Sequence, residues 1–486
     1  MNEYESIFNV VFPKNTKIVG VSNNSKKIKK DFIFFALPGS QNHGSNYIEE
    51  AIELGASVIV HNDPDYKSER SNIFFIKDLY IKSGSSKHLK FLEKFYSSIN
   101  FCCKDSKIKF IGFTGTNGKT TTANLCHQIL CQHGNESLYI GTLGAQRKTS
   151  KFNTNFFKKT TPDIFELYET LNFYKFFKGY VCIEISSHAL HQDRLNGLRL
   201  EYASIINFNE DHLDYHKTIK EYAQSKLKIF EMLINKENFH IDDDAINLIN
   251  FFKKSNTLNK FQTFDEIKKN HLLSTNNINV LDKISYFKIF ELSYSTNLFP
   301  AFNVKNLMSA LMPIVKGNIT RFNKETTNKL NYLRLPKGRC ELIDNIPVNV
   351  IIDYAHNHGA FETLLLSIKN YYKNLIVIFG CGGDRDKLKR SKMLRSAITH
   401  CRLVIFTSDN SRYETFEDIY RDASIGNSNQ KVKVIEDRKL AIEEGIKILK
   451  KHECLLILGK GHETYQETKG KKYKFSDHEV INEIYK

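Results

Sequence analysis

The run Lys109-Phe110-Ile111-Gly112-Phe113-Thr114-Gly115-Thr116-Asn117-Gly118-Lys119-Thr120-Thr121-Thr122 constrains this chain more than any other feature. An apolar strand leads into a glycine-pinned loop, then a lysine, then hydroxyl side chains that open a helix. That order builds a phosphate cradle. Backbone N–H groups and a helix N-terminus face an anion, Lys119 adds a point charge, and Thr120 is within reach of a magnesium ion. Against the general pattern G-x-x-x-x-G-K-[ST], Phe113 stands at the first glycine, while Gly115, Gly118, Lys119 and Thr120 fit. The fold that carries such a loop is an α/β sheet.

At 486 residues the chain is too long for one ordinary core, so two to four domains are expected. No apolar run approaches a membrane span, and Met1-Asn2-Glu3-Tyr4-Glu5 lacks the basic and apolar regions of a signal peptide. The nine cysteines are scattered, odd in number and without paired metal spacing, which fits a reducing cytoplasm. Cys102-Cys103 is adjacent rather than C-x-x-C and reads as filler. Lys+Arg exceed Asp+Glu by 16, but the excess is mostly lysine and spread along the whole chain, in a sequence without Trp. This argues against a nucleic-acid patch. A basic surface would still tolerate an anionic, phosphate-bearing substrate.

Residues 1–105 carry apolar runs, Ile33-Phe34-Phe35-Ala36 and Ser57-Val58-Ile59-Val60, around a Gly/Asn/Ser loop from Pro38 to Asn46. They predict a small α/β domain. Residues 106–335 start at the phosphate loop and continue through the apolar runs 180–185 and 203–207. Helical stretches separate these runs, so the pattern predicts a parallel α/β sheet. Residues 252–300 are polar and weakly patterned, as in a β-rich flap or an insertion. A second break falls near Leu335-Pro336-Lys337-Gly338. Residues 336–486 then carry five short, nearly continuous apolar strands, at 348–353, 375–380, 403–407, 432–435 and 455–459. Such runs suit strands buried on both faces, and so a Rossmann-like domain.

Ligands of doubly wound sheets collect at the carboxyl ends of the strands. Four polar segments follow these strands: Asp353-Tyr354-Ala355-His356, Gly380-Cys381-Gly382-Gly383-Asp384-Arg385-Asp386, Asp409-Asn410-Ser411-Arg412 and Gly459-Lys460-Gly461-His462-Glu463. Together they predict one polar rim. In the middle unit Glu184 ends a strand and is followed by Ser186-Ser187-His188, and a carboxylate beside a phosphate loop is a natural magnesium ligand. The next strand ends in a His/Asp cluster, Asn209 to His216, which alone reads equally as a capping loop.

GTNGKTT, EISSHALHQDR, NEDHLDYHKTIKEYAQSK, FNVKN, KGR, DYAH, GCGGDRDK, DNSR and GKGHETYQ follow one another in a single order from about residue 15 to the C-terminus. In this the sequence resembles the Mur ligases, and among them the diaminopimelate-adding branch. The resemblance implies three domains: one for a UDP-sugar (1–105), a central P-loop-type ATPase domain (106–335) and a C-terminal amino-acid-binding domain (336–486). It implies an ATP-dependent amide ligase, cytoplasmic and monomeric, with Mg2+, UDP-MurNAc-L-Ala-D-Glu and meso-diaminopimelate as its partners. A lysine-adding relative and a folylpolyglutamate-synthase-like ligase are the alternatives.

Residue by residue, the resemblance gives Gly115, Thr116, Asn117, Gly118, Lys119, Thr120 and Thr121 to the ATP phosphates. It makes Thr120, Glu184 and His212 magnesium ligands and Lys226 a carbamylated lysine, whose carbamate oxygens would serve the metal. Asn303 and Asn306 match adenine contacts, and Arg339 and Asp353 match nucleotide contacts from the C-terminal domain. Ser25, Thr160, Thr161, Ser186, Gln192 and Arg194 match the UDP-substrate contacts. Arg385, Asp409, Asn410, Arg412, Gly459 and Glu463 match the diaminopimelate site. Four positions depart from the family pattern. Asn24-Ser25-Lys26 stands for Asp-Ser-Arg, Ser411 for a proline, His356-Asn357-His358 for His-Thr-Pro, and Pro300-Ala301 where a glycine precedes Phe302.

Overall fold

The computed structural model of the chain describes residues 4–96, 106–248, 272–273, 278–319 and 328–486, except 15, 40, 41, 68, 69, 71, 149, 155, 177, 282, 283, 290, 291, 318, 428 and 429. The expectations for Cys102-Cys103 and for residues 252–271 fall outside the described residues.

The first sheet has four parallel strands in chain order, Gly20–Ser22, Phe32–Ala36, Ala56–His61 and Phe74–Lys77. Strand alternation splits its side chains between two faces. Phe34 and Ala36 pack with Ile48, Ala51 and Ile59. Ile33 and Phe35 point the other way, into a core that runs on through Phe110, Leu138 and Ile183. Phe35 meets Phe165 of the helix Ile164–Phe173, ring centroids 5.4 Å apart. The N-terminal sheet therefore shares one continuous core with the sheet that follows.

That second sheet has seven strands. Their order is Leu272–Leu273, Phe239–Asp242, Tyr202–Ile205, Ile108–Thr114, Gly179–Glu184, Ser137–Gly141 and Gly144–Arg147. All run parallel except the edge strand Gly144–Arg147, because only two residues separate it from its neighbour and a parallel return needs a crossover. Ile108–Thr114 lies in the middle, where the chain order reverses. Such switch points are where open α/β sheets bind ligands. The helix after it, Lys119–Gln132, is buried on nearly every side, wedged between the sheet and the helix Ala301–Lys316. In the weakly patterned region, Asn279–Leu281, Ile284–Ile289 and Leu292–Thr296 form a three-stranded antiparallel sheet. Phe287, Ile289 and Tyr294 on one face of it join the same core.

The third sheet has six strands, in the order Glu341–Leu342, Asn349–Asp353, Cys454–Leu458, Leu375–Phe379, Leu403–Phe406 and Val432–Val434. The first is antiparallel and the rest are parallel. Apolar cores cover both faces, as the continuous apolar strands require. Arg438, fully buried against Asp477, donates to the Leu458 and Ser408 carbonyls and so ties two strand ends together. Among the described residues no helix is long and apolar enough to cross a membrane.

His88 lies in the shared core between the first two sheets, its ring 4.5 Å from Phe165 and 5.2 Å from Phe35. Its Nδ1 accepts from the Gly84 amide at 2.8 Å. Burial lowers its pKa to about 3, and burial holds His127 at about 4. Both stay neutral in the fold at pH values where the unfolded chain has already bound a proton. Stability therefore falls as pH drops below the ordinary histidine value toward the folded one. Thermal melts should show Tm falling between about pH 7.5 and about pH 5. His88→Gln, which removes one of these titrations, should make that fall shallower. An unchanged slope would contradict the assignment.

Candidate active site

The phosphate loop closes at Gly118, whose φ of +82° suits glycine and whose Cβ would lie 2.4 Å from Asn306 Oδ1. The loop is braced by the next strand's end. Asn117 N donates to Asn207 Oδ1 at 2.9 Å, Asn207 Nδ2 returns to Asn117 O at 3.0 Å, and Thr116 Oγ1 donates to Asn209 O at 3.0 Å. Lys119 is half-buried and curls over its own loop, its Nζ donating to Gly115 O at 2.8 Å and Thr116 O at 2.9 Å. Burial lowers its pKa, while Glu184 and Asp211 pull it back up.

Strand register sets Glu184 beside Phe113, next to the start of the loop. Its carboxylate is fully buried and surrounded by donors. Oε2 accepts from Thr120 Oγ1 at 2.9 Å and Thr142 Oγ1 at 3.0 Å, and Oε1 accepts from Thr142 N at 2.9 Å and from the Tyr139 hydroxyl. Burial and this carboxylate together push the Tyr139 hydroxyl well above its ordinary pKa, so it stays a donor. Tyr139 and Thr142 carry no motif; only their place beside Glu184 in the fold identifies them.

His212 takes up a left-handed conformation, φ 55°, with its amide on Asp211 Oδ1 at 2.9 Å. Burial lowers its imidazole to about 4, against the pull of Asp211. Burial alone would raise the Asp211 carboxyl, but His212, His356 and Lys119 hold it below its usual value. Lys226 lies in the helix Ile219–Glu231, which Thr218 caps. It is 1% exposed, with its Nζ over the Tyr222 ring at 4.5 Å and no carboxylate or hydrogen-bond acceptor among the described residues. Burial first, and Lys119 second, lower its pKa well below the lysine value.

A cavity of about 1560 Å³ opens over these groups. Its walls carry Thr116 to Thr121, Glu184, His212, Asn303, Asn306, Arg339 and Asp353 from the expected nucleotide and metal sets. They also carry Thr160, Ser186 and Arg194, and all six residues of the expected amino-acid set: Arg385, Asp409, Asn410, Arg412, Gly459 and Glu463. Gly115, Thr161, Gln192 and Lys226 are not on the wall itself. Two of them support the wall: Thr161 Oγ1 donates to Glu184 O at 2.9 Å and accepts from Ser186 N at 2.9 Å, and Gln192 Oε1 accepts from Arg194 Nε at 2.8 Å. Ser25 lies apart from the cavity, buried in a single turn of the N-terminal unit.

Arg339 stacks on the Tyr354 ring at 4.5 Å, and Asp353 accepts from the Cys340 and Ala355 amides, each at 2.6 Å. Asp211, Asn357 and Lys460 were not among the expected site residues. Asn357 Oδ1 caps the helix His358–Lys369 by accepting from Ala360 N at 2.9 Å. Its Nδ2 reaches Asn117 Oδ1 at 3.2 Å and Asp211 Oδ2 at 3.0 Å. One amide thus fastens the third sheet's unit to the phosphate loop. The Asn-for-Thr difference in the sequence marked the position, but the distance to Asn117 and Asp211 exists only in the fold.

Among the described residues no three His, Cys, Asp or Glu side chains are placed to hold a metal ion by themselves. Thr120 Oγ1 and Glu184 Oε2, 2.9 Å apart at the loop, are hard oxygen donors that fit magnesium if ligand oxygens complete the shell.

Models of three Mur ligase domains match this chain in order: the Mur ligase family catalytic domain over 17–89, the Mur ligase middle domain over 113–313, and the Mur ligase glutamate ligase domain over 338–461. A UDP-N-acetylmuramoyl-L-alanyl-D-glutamate–2,6-diaminopimelate ligase of Aquifex aeolicus is 35% identical over 481 residues, 96% of this chain and 94% of that one. The chain belongs to the Mur ligase family. A ligase of the same description from Wigglesworthia glossinidia brevipalpis is also 35% identical, covering 96% of this chain and 95% of its own. A solved structure of a ligase so described matches at a TM-score of 0.62 and 25% identity, over 99% of both chains. The three sheets described above are thus the Mur ligase fold.

For this Mur ligase, Asn357→Ala should lose both the helix cap and the tie to the loop, at a cost of about 1–2 kcal/mol in denaturant unfolding. Asn357→Asp should keep the cap, yet set a carboxylate against Asp211 and raise the KM for ATP. Wild-type ATP kinetics in Asn357→Asp would show that the tie does not matter.

Proposed function

We propose that the chain joins an amine of meso-diaminopimelate to the D-Glu side-chain carboxylate of UDP-MurNAc-L-Ala-D-Glu, with cleavage of ATP to ADP and phosphate, in peptidoglycan precursor synthesis. One observation carries the reading. Arg385, Asp409, Asn410, Arg412, Gly459 and Glu463, from three loops of the third sheet, share one cavity with the phosphate loop. The working division is 1–105 for the UDP-sugar, 106–335 for ATP and 336–486 for the amino acid. The seven described cysteines are all free thiols, which suits a cytoplasmic enzyme.

The chemistry starts from an unreactive carboxylate. In our reading Thr160, Ser186 and Arg194 hold the UDP-substrate with that carboxylate facing the loop. Lys119 exchanges its two loop carbonyls for phosphate oxygens and takes up charge as the carboxylate attacks the γ-phosphorus. Thr120, Glu184, His212 and a carbamate on Lys226 would hold Mg2+, which when bound neutralises phosphate charge. Lys226 fits that role because an amine adds CO2 with loss of a proton, burial lowers the pKa of this one, and among the described residues its Nζ has no hydrogen-bond acceptor. The resulting acyl phosphate is open to the amine of the acceptor. Attack at the acyl carbon and departure of phosphate complete the amide. Asn357, at the seam between the units, helps close the cavity against water, which would otherwise hydrolyse the acyl phosphate.

Two measurements test this. ATP turnover with UDP-MurNAc-L-Ala-D-Glu and a panel of amines should favour meso-diaminopimelate over L-lysine by at least about 10²-fold in kcat/KM, because lysine leaves Arg412 without its carboxylate. Equal rates with the two amines would refute the acceptor assignment. Lys226→Ala should lose nearly all activity and regain part of it with added short carboxylates. Full activity in that variant would remove the carbamate from the scheme.

A further inference from the structure

Lys460 is a fully buried lysine beside the acceptor wall. It sits between Gly459, φ +106°, and Gly461, φ +52°, and this backbone path turns its side chain inward. A Cβ on Gly459 would lie 2.6 Å from Asp409 Oδ2, so the turn is packed directly on the acceptor loop. Lys460 Nζ donates to Asn410 Oδ1 at 3.1 Å and to Glu463 Oε2 at 3.0 Å, and lies 5.4 Å from the Tyr465 ring centre. Asn410 Nδ2 closes the triangle on Glu463 Oε2 at 2.9 Å, and the Glu467 amide also donates to Asn410 Oδ1 at 3.0 Å.

We infer that Lys460 is a positioning residue that sets acceptor specificity through Asn410 and Glu463. An ammonium donates and never accepts. Its contact with Asn410, with the Glu467 amide on the same oxygen, fixes which end of that amide is oxygen, and so turns Nδ2 toward Glu463. The same contact pins one oxygen of Glu463. Among the described residues, one N–H of Asn410 and Oε1 of Glu463 then have no protein partner, and both residues line the cavity. The wall offers one donor and one acceptor side by side, with Arg412 close enough for its Nη1 to reach Asn410 O at 3.5 Å. That set matches the carboxylate and ammonium of an amino-acid end. Lys460 itself spends its charge on Glu463 and leaves the acceptor's ammonium unopposed by a second cation.

The inference rests on the ligase reading, and the test separates the two. The wild-type amine panel decides the reading by itself. Whichever amine it identifies, Lys460→Met should raise the KM for that amine by about tenfold or more while leaving the KM for ATP unchanged. A double-mutant cycle with Glu463→Gln supplies the decisive comparison. If Lys460 acts through Glu463, then Lys460→Met added to Glu463→Gln shifts the amine KM little further. Additive losses, or a parallel rise in the KM for ATP, would reduce Lys460 to a packing role and overturn the inference. If Lys460→Met alone fails to fold, the charge-balanced double variant against Glu463→Gln still decides it. A wild type that uses only lysine overturns the diaminopimelate assignment and leaves this comparison standing. A wild type that couples ATP to no amine overturns both.

Discussion

The buried carboxylate of Glu184 is the interaction on which the site depends. A charge with no exposure is tolerated only where donors replace the lost water. Here they come from the start of the phosphate-loop helix (Thr120), the neighbouring strand (Tyr139) and the turn beyond it (Thr142). Satisfying one carboxylate therefore fixes the relative positions of three elements. The Glu184 carbonyl extends the same knot to Thr161, whose hydroxyl also holds Ser186. The cradle and the wall expected to hold the UDP-substrate are in this way aligned from a single strand end.

Charge is handled differently across the cavity. Near the phosphate loop Lys119 lowers the proton affinity of Lys226, and Asp211 is the anion that pulls both lysines back up. Such a cluster is costly when empty and favourable once phosphate or carbamate charge enters. On the opposite wall the Lys460 and Glu463 charges are already paired, which leaves Arg412 and directional hydrogen bonds to meet a ligand. The first side is built to gain from an arriving anion, the second to read shape and polarity.

The strands and the cradle were legible in the sequence because continuous apolar runs and a glycine–lysine loop are local signals. Each of the five expected C-terminal strands is present within a residue or two, and the polar segments that follow them line the cavity as the expected polar rim. What escaped was non-local. Nothing local marks Tyr139 or Thr142 as partners of Glu184, since register across the sheet brings them there. Asn357 stood out only as a departure from the family pattern, and its bonds to Asn117 and Asp211 depend on how two units meet. Lys460 lies in the motif whose Gly459 and Glu463 alone match the family's amino-acid site. The β-rich reading of the weakly patterned region holds at 279–296, but its strands were hard to place because exposed Ile284 and Tyr286 alternate with buried Ser285.

The continuous core beneath the first two sheets bears on how such a chain is inherited. The unit expected to bind a UDP-sugar does not own the face it stands on. Phe35 and His88 are completed by Phe165 from the next unit. A recombination event, natural or engineered, that exchanged this first segment alone would bring a new surface to an old mould. It would succeed only if volumes matched across the seam. The third unit meets the others both through polar contacts such as Asn357 and through Phe299 and Phe302 packed against its core. An exchange of that unit would have to preserve both the amide tie and the apolar fit.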